Sequence, residues 1–343
     1  MKTDIKSLLP EEISQVLSQM SQPKYRAKQI FSWLHRGVSN FEEMTDLPKS
    51  LREGLDERFF ISCPKAIRKQ VSERDGTIKY LWRLADGNCI ETVVMSYKHG
   101  NTVCISSQVG CRQGCAFCAS AIGGLVRDLS PSEMLDEVLF SQLDSGMKIT
   151  NIVLMGIGEP LDNFDNVIRF LELVNHPHGL NIGMRHISLS TCGLTEKFDK
   201  LAELNLQLTL SISLHAPDDE TRSRLMPANR GRGVDELVSA CRSYFERTGR
   251  RISFEYAMIS GVNDSPEQAR LLAERAKDAF AHVNLIPLNK VEERSFLPSS
   301  PNDLKQFVKI LEDKGVNVTV RRSLGGDVNA SCGQLRRTAA KEG

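Results

Sequence analysis

Charge of one sign is the first thing this 343-residue sequence lacks: 44 Lys and Arg stand against 43 Asp and Glu, leaving a net charge of +1. There is no global field to draw in nucleic acid, so a polyanion would have to be met by local clusters. Long apolar runs are missing too. None approaches the roughly 20 residues of a membrane-crossing helix, and the first ten residues carry no signal-peptide-like apolar core. A cytoplasmic protein that does not enter a membrane is expected. Cysteines number nine, an odd count in a long chain, which excludes a fully paired disulfide framework and fits reduced thiols. The rest of the composition is ordinary: a 41% hydrophobic fraction can fill a sizeable core, and the length suggests about two domains.

A further shortage is local. Within residues 103–120, Cys111, Cys115 and Cys118 stand at C-x-x-x-C-x-x-C spacing on one loop, with small residues between them that let the backbone wrap. A structural zinc takes four protein ligands and an ordinary four-iron four-sulfur cluster takes four cysteines, so three thiolates leave one coordination site open. An open iron can bind a substrate, which points to chemistry at the metal. A zinc knuckle or three packed core thiols are the plainer alternatives, and zinc would need a fourth ligand. With Phe117 before the last cysteine, the segment resembles the signature of the radical S-adenosylmethionine (SAM) enzymes. That resemblance implies a 4Fe-4S cluster on Cys111, Cys115 and Cys118. Its open iron would be chelated by the amino and carboxylate groups of SAM, and one electron would split the sulfonium into methionine and a 5′-deoxyadenosyl radical.

Along the chain, residues 1–60 read as a small helical module with helices at 11–19, 24–36, 41–44 and 49–59. In the second of these Ile30, Phe31, Trp33 and Leu34 recur at helical spacing, which makes Phe31 and Trp33 core residues, and Gly37 ends it. The string from Tyr25 to Arg52 resembles the N-terminal module of the RlmN/Cfr family, adenosine methyltransferases within the radical SAM superfamily. Residues 61–103 change to short alternating runs broken at Gly76 and at Asp86 with Gly87, and predict a β extension of two or three antiparallel strands. From 104 to 300, strands at 103–106, 151–155, 186–190, 207–214, 252–258 and 283–288 alternate with helical spacing at 131–143, 167–173, 234–247 and 266–279. Six strands with helical crossovers predict an α/β fold, a parallel sheet curled into a partial (β/α)6 barrel of the radical SAM type. Function would lie on the loops after the strands' C-terminal ends. Residues 301–343 read as a helix at 301–314, a strand at 316–320 and a glycine-rich tail carrying Cys332.

After the second barrel strand comes Met155-Gly156-Ile157-Gly158-Glu159-Pro160. Glycines there let backbone approach a ligand, and a carboxylate can meet an ammonium group. In register with the cysteine motif, the family resemblance assigns Gly158 and Glu159 to SAM binding, and with them Ser190, Ser213, Leu214, His215 and Asn289. On its own each is bland, and His215 reads as a hydrogen-bonded structural histidine. Glu91, between Ile90 and Thr92 in a β-rich run, reads by itself as a solvent-facing carboxylate; the resemblance makes it a catalytic base. Cys104, in the strand leading to the cysteine loop, and Cys332, in the tail, read as two unrelated thiols or a working pair with equal weight. Arg336 and Arg337 could favour the Cys332 thiolate. The strings CISSQVGC and NASCGQLR coincide with the family's two working cysteines. Cys63, Cys89, Cys192 and Cys241 match no role and read as packing residues.

Carbon 2 of adenine is electron-poor and cannot attack a sulfonium methyl group, so a radical must come to it. The resemblance implies two SAM per turnover, one methylating Cys332 and one supplying the radical that joins the resulting carbon to the ring. Glu91 would then remove the ring proton, and Cys104 would attack the Cys332 sulfur to release product and leave a disulfide. An external electron donor and a disulfide reductant follow as partners. GIGEPLDN, with Pro160, resembles the RlmN branch, which implies carbon 2 of adenosine in 23S rRNA and beside the anticodon in tRNA; the Cfr branch, acting at carbon 8, usually has Ala there. Ile157, and Ser120 with Ala121, depart slightly from the usual pattern. A non-enzymatic iron-sulfur RNA-binding redox sensor is the third reading. Lys24, Arg26 and Lys28 near Tyr25, Arg230 and Arg232, Arg247 with Arg250 and Arg251, Arg321 with Arg322, and Arg336 with Arg337 leave RNA binding open. A monomer is expected.

Overall fold

A computed structural model describes residues 2–289, 291, 293–322 and 324–328. The chain begins with the helical module: α1 (Pro10–Gln19), α2 (Arg26–Leu34), a 3-10 turn at Phe41–Glu43, and α3 (Lys49–Arg58). Proline at the first position of α1 costs no hydrogen bond, and Glu12 accepts from the Leu9 N–H at 2.7 Å. Ala27, Ile30, Phe31 and Leu34 share one face of α2 and meet Ile13 and Leu17 of α1, Leu51 and Leu55 of α3, and Leu173 from the barrel. Phe31 is fully inside, as its spacing predicts. Trp33 is only half-buried, because its indole N–H donates to Asp46 at 2.6 Å and its ring lies under the Arg36 guanidinium. A short parallel pair, β1 (Thr3–Asp4) with β2 (Phe59–Phe60), ties the two ends of the module.

The next strands are antiparallel: β3 (Lys65–Val71), β4 (Ile78–Arg83) and β5 (Cys89–Tyr97), followed by β6 (Gly100–Cys104). Gly76 and Gly87 both have positive φ in the connecting turns. A small hairpin of β7 (Gln108–Gly110) and β8 (Leu125–Asp128) then frames the cysteine loop. From α4 (Pro131–Ser145) onward the chain alternates β9 (Ile149–Leu154), α5 (Phe164–Asn175), β10 (Ile187–Thr191), α6 (Phe198–Glu203) and β11 (Thr209–Ser213). It continues through α7 (Asp219–Leu225), α8 (Val234–Thr248), β12 (Ile252–Met258), α9 (Pro266–Asp278), β13 (His282–Pro287), α10 (Pro301–Asp313) and β14 (Val318–Val320).

Among the described residues these strands form one ten-stranded sheet in the order β14, β13, β12, β11, β10, β9, β6, β5, β4, β3. β6 and β9 to β14 pair in parallel, and β5 to β3 continue the sheet antiparallel. The expected α/β partial barrel is therefore present, and the strand expected near residue 318 adds as a seventh parallel member. The sheet does not close; β3 and β14 are its edges.

Side chains alternate in a way that leaves the interior open. Leu210 and Ile212 of β11, and Ile187 and Leu189 of β10, join the core formed with the helices, whereas Ser188, Thr209, Ser211, Ser253, Glu255 and Asn284 line a cavity inside the sheet. Barrels filled with branched apolar side chains have no such space.

A buried ion pair joins the helical module to the barrel. Lys6, with no exposed side-chain surface, bonds to Asp136 of α4 and to the Ser62 carbonyl, and Ser62 Oγ donates to Asp136 at 2.6 Å. Burial pushes the Asp136 carboxyl up to about 7 against the opposing pull of Lys6. Removing one member of such a pair strands the other charge, while replacing both with apolar groups does not. Lys6→Met should lower unfolding stability by about 3–5 kcal/mol in urea titrations, and Lys6→Met with Asp136→Leu should recover most of that loss; equal losses in the single and double variants would contradict the pairing.

Candidate active site

The site is built on loops that leave the carboxyl ends of β6, β9, β10 and β11. After β6, the β7–β8 hairpin brings Gly110 and Gly124 together so closely that a Cβ on Gly110 would lie 2.0 Å from the Gly124 carbonyl oxygen. Cys111 N–H donates to that oxygen at 3.0 Å, Ala116 N–H reaches the Leu225 carbonyl at 2.8 Å, and Cys118 N–H turns back to Cys115 at 3.2 Å. The loop is thus pinned at its base to β8 and at its tip to the end of α7.

Cys111, Cys115 and Cys118 all line one cavity of about 200 Å³, together with Gly158, Glu159, Ser190, Ser213 and His215. Burial first, and then the neighbouring Cys118, pushes the Cys111 thiol up to about 11; burial, Cys118 and Cys111 push Cys115 up as well. Three crowded thiols become thiolates together only where positive charge is supplied between them. Three thiols from a single loop on the wall of one open volume suit a polynuclear centre that keeps one corner for a ligand, so the donor set fits an iron-sulfur cluster.

Gly156 and Gly158 line this cavity, and their missing side chains also let two loops meet. A Cβ on Gly156 would stand 2.5 Å from the Ile105 carbonyl oxygen, and one on Gly158, at φ +113°, would stand 2.7 Å from both Gln108 Cβ and Ser107 Oγ. They let the loop after β9 lie against the loop after β6. Glu159 is buried, with Oε1 accepting from Leu161 N–H at 3.0 Å and Oε2 from Cys192 N–H at 2.7 Å. Burial raises its carboxyl, and these backbone bonds pull it down. Its carboxylate therefore joins the loops after β9 and β10 at the cavity wall.

His215 has φ +55° and is buried; its Nδ1 accepts from Ala257 N–H at 3.0 Å, and its ring stands edge-on to Phe117 at 4.9 Å. Burial, helped by Arg222, lowers it to about 3, so the ring is neutral. The bland reading of a bonded structural histidine describes these contacts, and the ring also faces the cavity. Leu214 is fully buried and stands behind the wall; Asn289 lies in an adjoining cavity of about 250 Å³. That second cavity holds Cys104, and it shares Phe117, Cys118, Met155 and His215 with the first.

Cys104 is opposite Val93, and Glu91 lies two residues from Val93 in β5, on the same face. Glu91 does not face solvent as its sequence setting suggested. It is buried, with Lys79 Nζ 2.9 Å from Oε2. The C-terminal segment docks beside this region: Leu324 packs on Val93, Met95 and Cys104, Gly325 N–H donates to Asp75 at 2.8 Å, and Asp327 accepts from Ser72 Oγ at 2.7 Å. Cys332, Arg336 and Arg337 lie outside the described residues.

Sequence reasoning missed Arg222. It is almost wholly buried in α7, donating from Nε to the Leu214 carbonyl at 3.1 Å, from Nη2 to the Cys192 and Ser213 carbonyls at 2.7 and 3.3 Å, and from Nη1 to Asn229 at 2.7 Å. Among the basic clusters, Arg232 and Arg247 are taken up in ion pairs with Glu196 and Asp199, Tyr25 stands 62% exposed beside Arg26, and Arg321 and Arg322 line the Cys104 cavity. Cys241 is a core residue, whereas Cys192, expected only to pack, lines the three-thiol cavity.

Comparison with known proteins agrees with this arrangement. Residues 105–273 match the family model described as the radical SAM superfamily, and residues 3–61 the one described as the ribosomal RNA large subunit methyltransferase N-terminal domain. A probable dual-specificity RNA methyltransferase RlmN of Clostridium tetani is 50% identical over 96% of this chain and 95% of its own length; that of Alkaliphilus oremlandii is 52% identical over 98% of each. The crystal structure of a radical SAM methyltransferase from Sphaerobacter thermophilus superposes with a TM-score of 0.92 at 42% identity, covering 97% of this chain and 98% of that one. The chain belongs to the RlmN family of radical SAM methyltransferases.

Proposed function

We propose that the enzyme methylates carbon 2 of an adenosine in 23S rRNA and in tRNA, through a methylated Cys332 and a covalent protein-RNA intermediate. The observation that carries this reading is the docking of residues 324–328 beside the Cys104 cavity, which shares walls with the three-thiol cavity. Cys332 follows Val328 by four residues, a tether of at most roughly 14 Å. When bound, a 4Fe-4S cluster on Cys111, Cys115 and Cys118 and two SAM per turnover supply the methyl group and the radical that activates it.

The chain's own residues do the rest. Gly158, Glu159, Ser190, Ser213, Leu214, His215 and Asn289 form or back the walls against which SAM is held. Cys332 carries the methyl carbon to the base. Once the adduct has passed its unpaired electron to a one-electron carrier, Glu91 accepts the ring proton; the Cys104 thiolate then attacks the Cys332 sulfur, and the carbon, taking the electron pair of the broken S–C bond and a proton from solvent, leaves with the adenine as a methyl group while a disulfide remains. An external electron donor starts the cycle and a disulfide reductant resets it. Pro160 favours carbon 2 over the carbon-8 alternative. The redox-sensor reading is set aside, because relatives at about half identity are named methyltransferases. Among the described residues no helix is long and apolar enough to cross a membrane, and a cytoplasmic monomer acting on RNA is part of the same reading.

Two substitutions separate the cysteine roles. Cys332→Ala should still form 5′-deoxyadenosine from SAM under reducing, anaerobic conditions while yielding no methylated adenosine by mass spectrometry; methylated product from that variant would eliminate the carrier role. Cys104→Ala should accumulate a protein-RNA adduct that survives denaturing electrophoresis, and the lack of any shifted band would remove it as the resolving thiol. The position of the methyl group, carbon 2 or carbon 8, is read from the same nucleoside digests.

A further inference from the structure

We infer that Gln108 is a positioning residue for SAM, setting the loop that carries Glu159 at a fixed distance from the cysteine loop; this rests on the reading of Gly158 and Glu159 as part of the wall that holds SAM. Gln108 opens β7, three residues before Cys111, and has no exposed surface. Its amide meets three partners. Nε2 donates to Asp128 Oδ1 at 2.8 Å and to Asp162 Oδ2 at 3.0 Å, and Oε1 accepts from Glu159 N–H at 2.9 Å.

Those partners call for an amide. A carboxylate can only accept and a backbone N–H can only donate, so a side chain that serves all three must offer two donors and an acceptor from one rigid plane. A glutamate of the same shape would have no hydrogen to give, and would bring a third negative charge against Asp128 and Asp162. A methionine of similar size would leave a buried N–H and two carboxylates without these bonds.

The amide lies where the two halves of the site meet. Asp128 is the cross-strand partner of Gln108, just past the cysteine loop, and Asp162 accepts from Arg112, the residue after Cys111, at 2.8 Å. Arg112 is largely exposed, so that ion pair contributes little by itself. Cohesion between the loops is supplied elsewhere. The Ile157 carbonyl accepts from Ser107 and Gln108 N–H at 2.9 and 3.1 Å, and Asn163 Nδ2 donates to the Ser107 and Leu129 carbonyls at 2.9 and 2.8 Å. What the Gln108 side chain adds is the placement of Glu159 itself, two residues beyond Ile157. A ligand held between the two loops tolerates a misplacement of only about 0.5 Å, and neither loop sets that distance alone.

The test needs no turnover. The full-length protein is reconstituted anaerobically with iron and sulfide, reduced, and titrated with SAM while the electron paramagnetic resonance spectrum of the cluster is followed. Gln108→Glu and Gln108→Met should bind wild-type amounts of iron and sulfide, because the three cysteines are untouched. Both should need roughly 10-fold more SAM for half of the spectral change, the size of one lost hydrogen bond to a charged group. Gln108→Glu with Asp162→Asn, which exchanges donor and acceptor between the two positions, should recover most of that loss. A wild-type SAM response in Gln108→Glu would overturn the inference. So would a lower iron content with an unchanged SAM response per cluster, or failure of both single variants to fold, each the mark of a residue that only holds the hairpin together. Glu159→Ala is the separate control: an undiminished SAM response from it would defeat the assignment of that loop to SAM, whatever the Gln108 variants do.

Discussion

The mouth of the barrel is held by two buried charges that bond mostly to backbone. Glu159 accepts from Cys192 N–H, and Arg222 donates to the Cys192 carbonyl, so the loop after β10 is gripped from both sides. Through Leu161 the same carboxylate holds the loop after β9, and through Ser213 and Leu214 the same guanidinium holds the end of β11. Loop carbonyls and N–H groups away from water need such partners or they cost free energy comparable to a lost hydrogen bond. Here they also set the spacing of Gly158, Ser190, Ser213 and His215 around the cysteine loop. Charge on the side-chain partner makes such bonds stronger than neutral ones, which suits walls that must keep their place when the cavity fills.

The volume those walls enclose comes from a property of the strands. Parallel strands covered by helices are usually apolar on both faces. In β10 and β11 only the outer face is apolar; Ser188, Ser190, Thr209, Ser211 and Ser213 point inward and are too short to fill the lumen. An open edge then lets the sheet continue into β5, β4 and β3, and that continuation brings Glu91 and Cys104 to one face. The extension therefore lines the cavity beside the three cysteines as well as linking the barrel to the helical module.

Much of this was legible in the sequence, and the remainder was hidden for definite reasons. The spacing of Cys111, Cys115 and Cys118, the strand-helix alternation and the glycines after β9 are local patterns; the alternation became the parallel sheet, and the cysteines and glycines lie on one cavity. The reason for the glycines was not legible: Gly156 and Gly158 answer to Ile105, Ser107 and Gln108, some fifty residues earlier, and only the pairing of β6 with β9 creates that contact. Arg222 lies in a run with Glu220 and Arg224 that reads as a solvated helix face, and the fold alone decides which of them turns inward. The burial of Glu91 depends on the register of β4 with β5, which brings in Lys79 from twelve positions away. Trp33 shared the spacing of the core residues yet stays half-outside because Asp46 offers its indole a partner.

Two buried lysine-carboxylate pairs, Lys6–Asp136 and Lys79–Glu91, show how position separates similar interactions. The first sits where the helical module, the start of the extension and α4 meet, and Ser62 bonds both partners, closing a knot whose members face one another. Its geometry answers the need of a joint, in which both oxygens of the Asp136 carboxylate find local donors. The second lies inside a continuous sheet that its backbone ladder already holds together, so no joint requires it. The desolvation cost is of the same kind in both places. Where a ladder supplies the cohesion, the pair is fixed by strand register instead, which sets ammonium against carboxylate at 2.9 Å on the face that Val93 and Cys104 share.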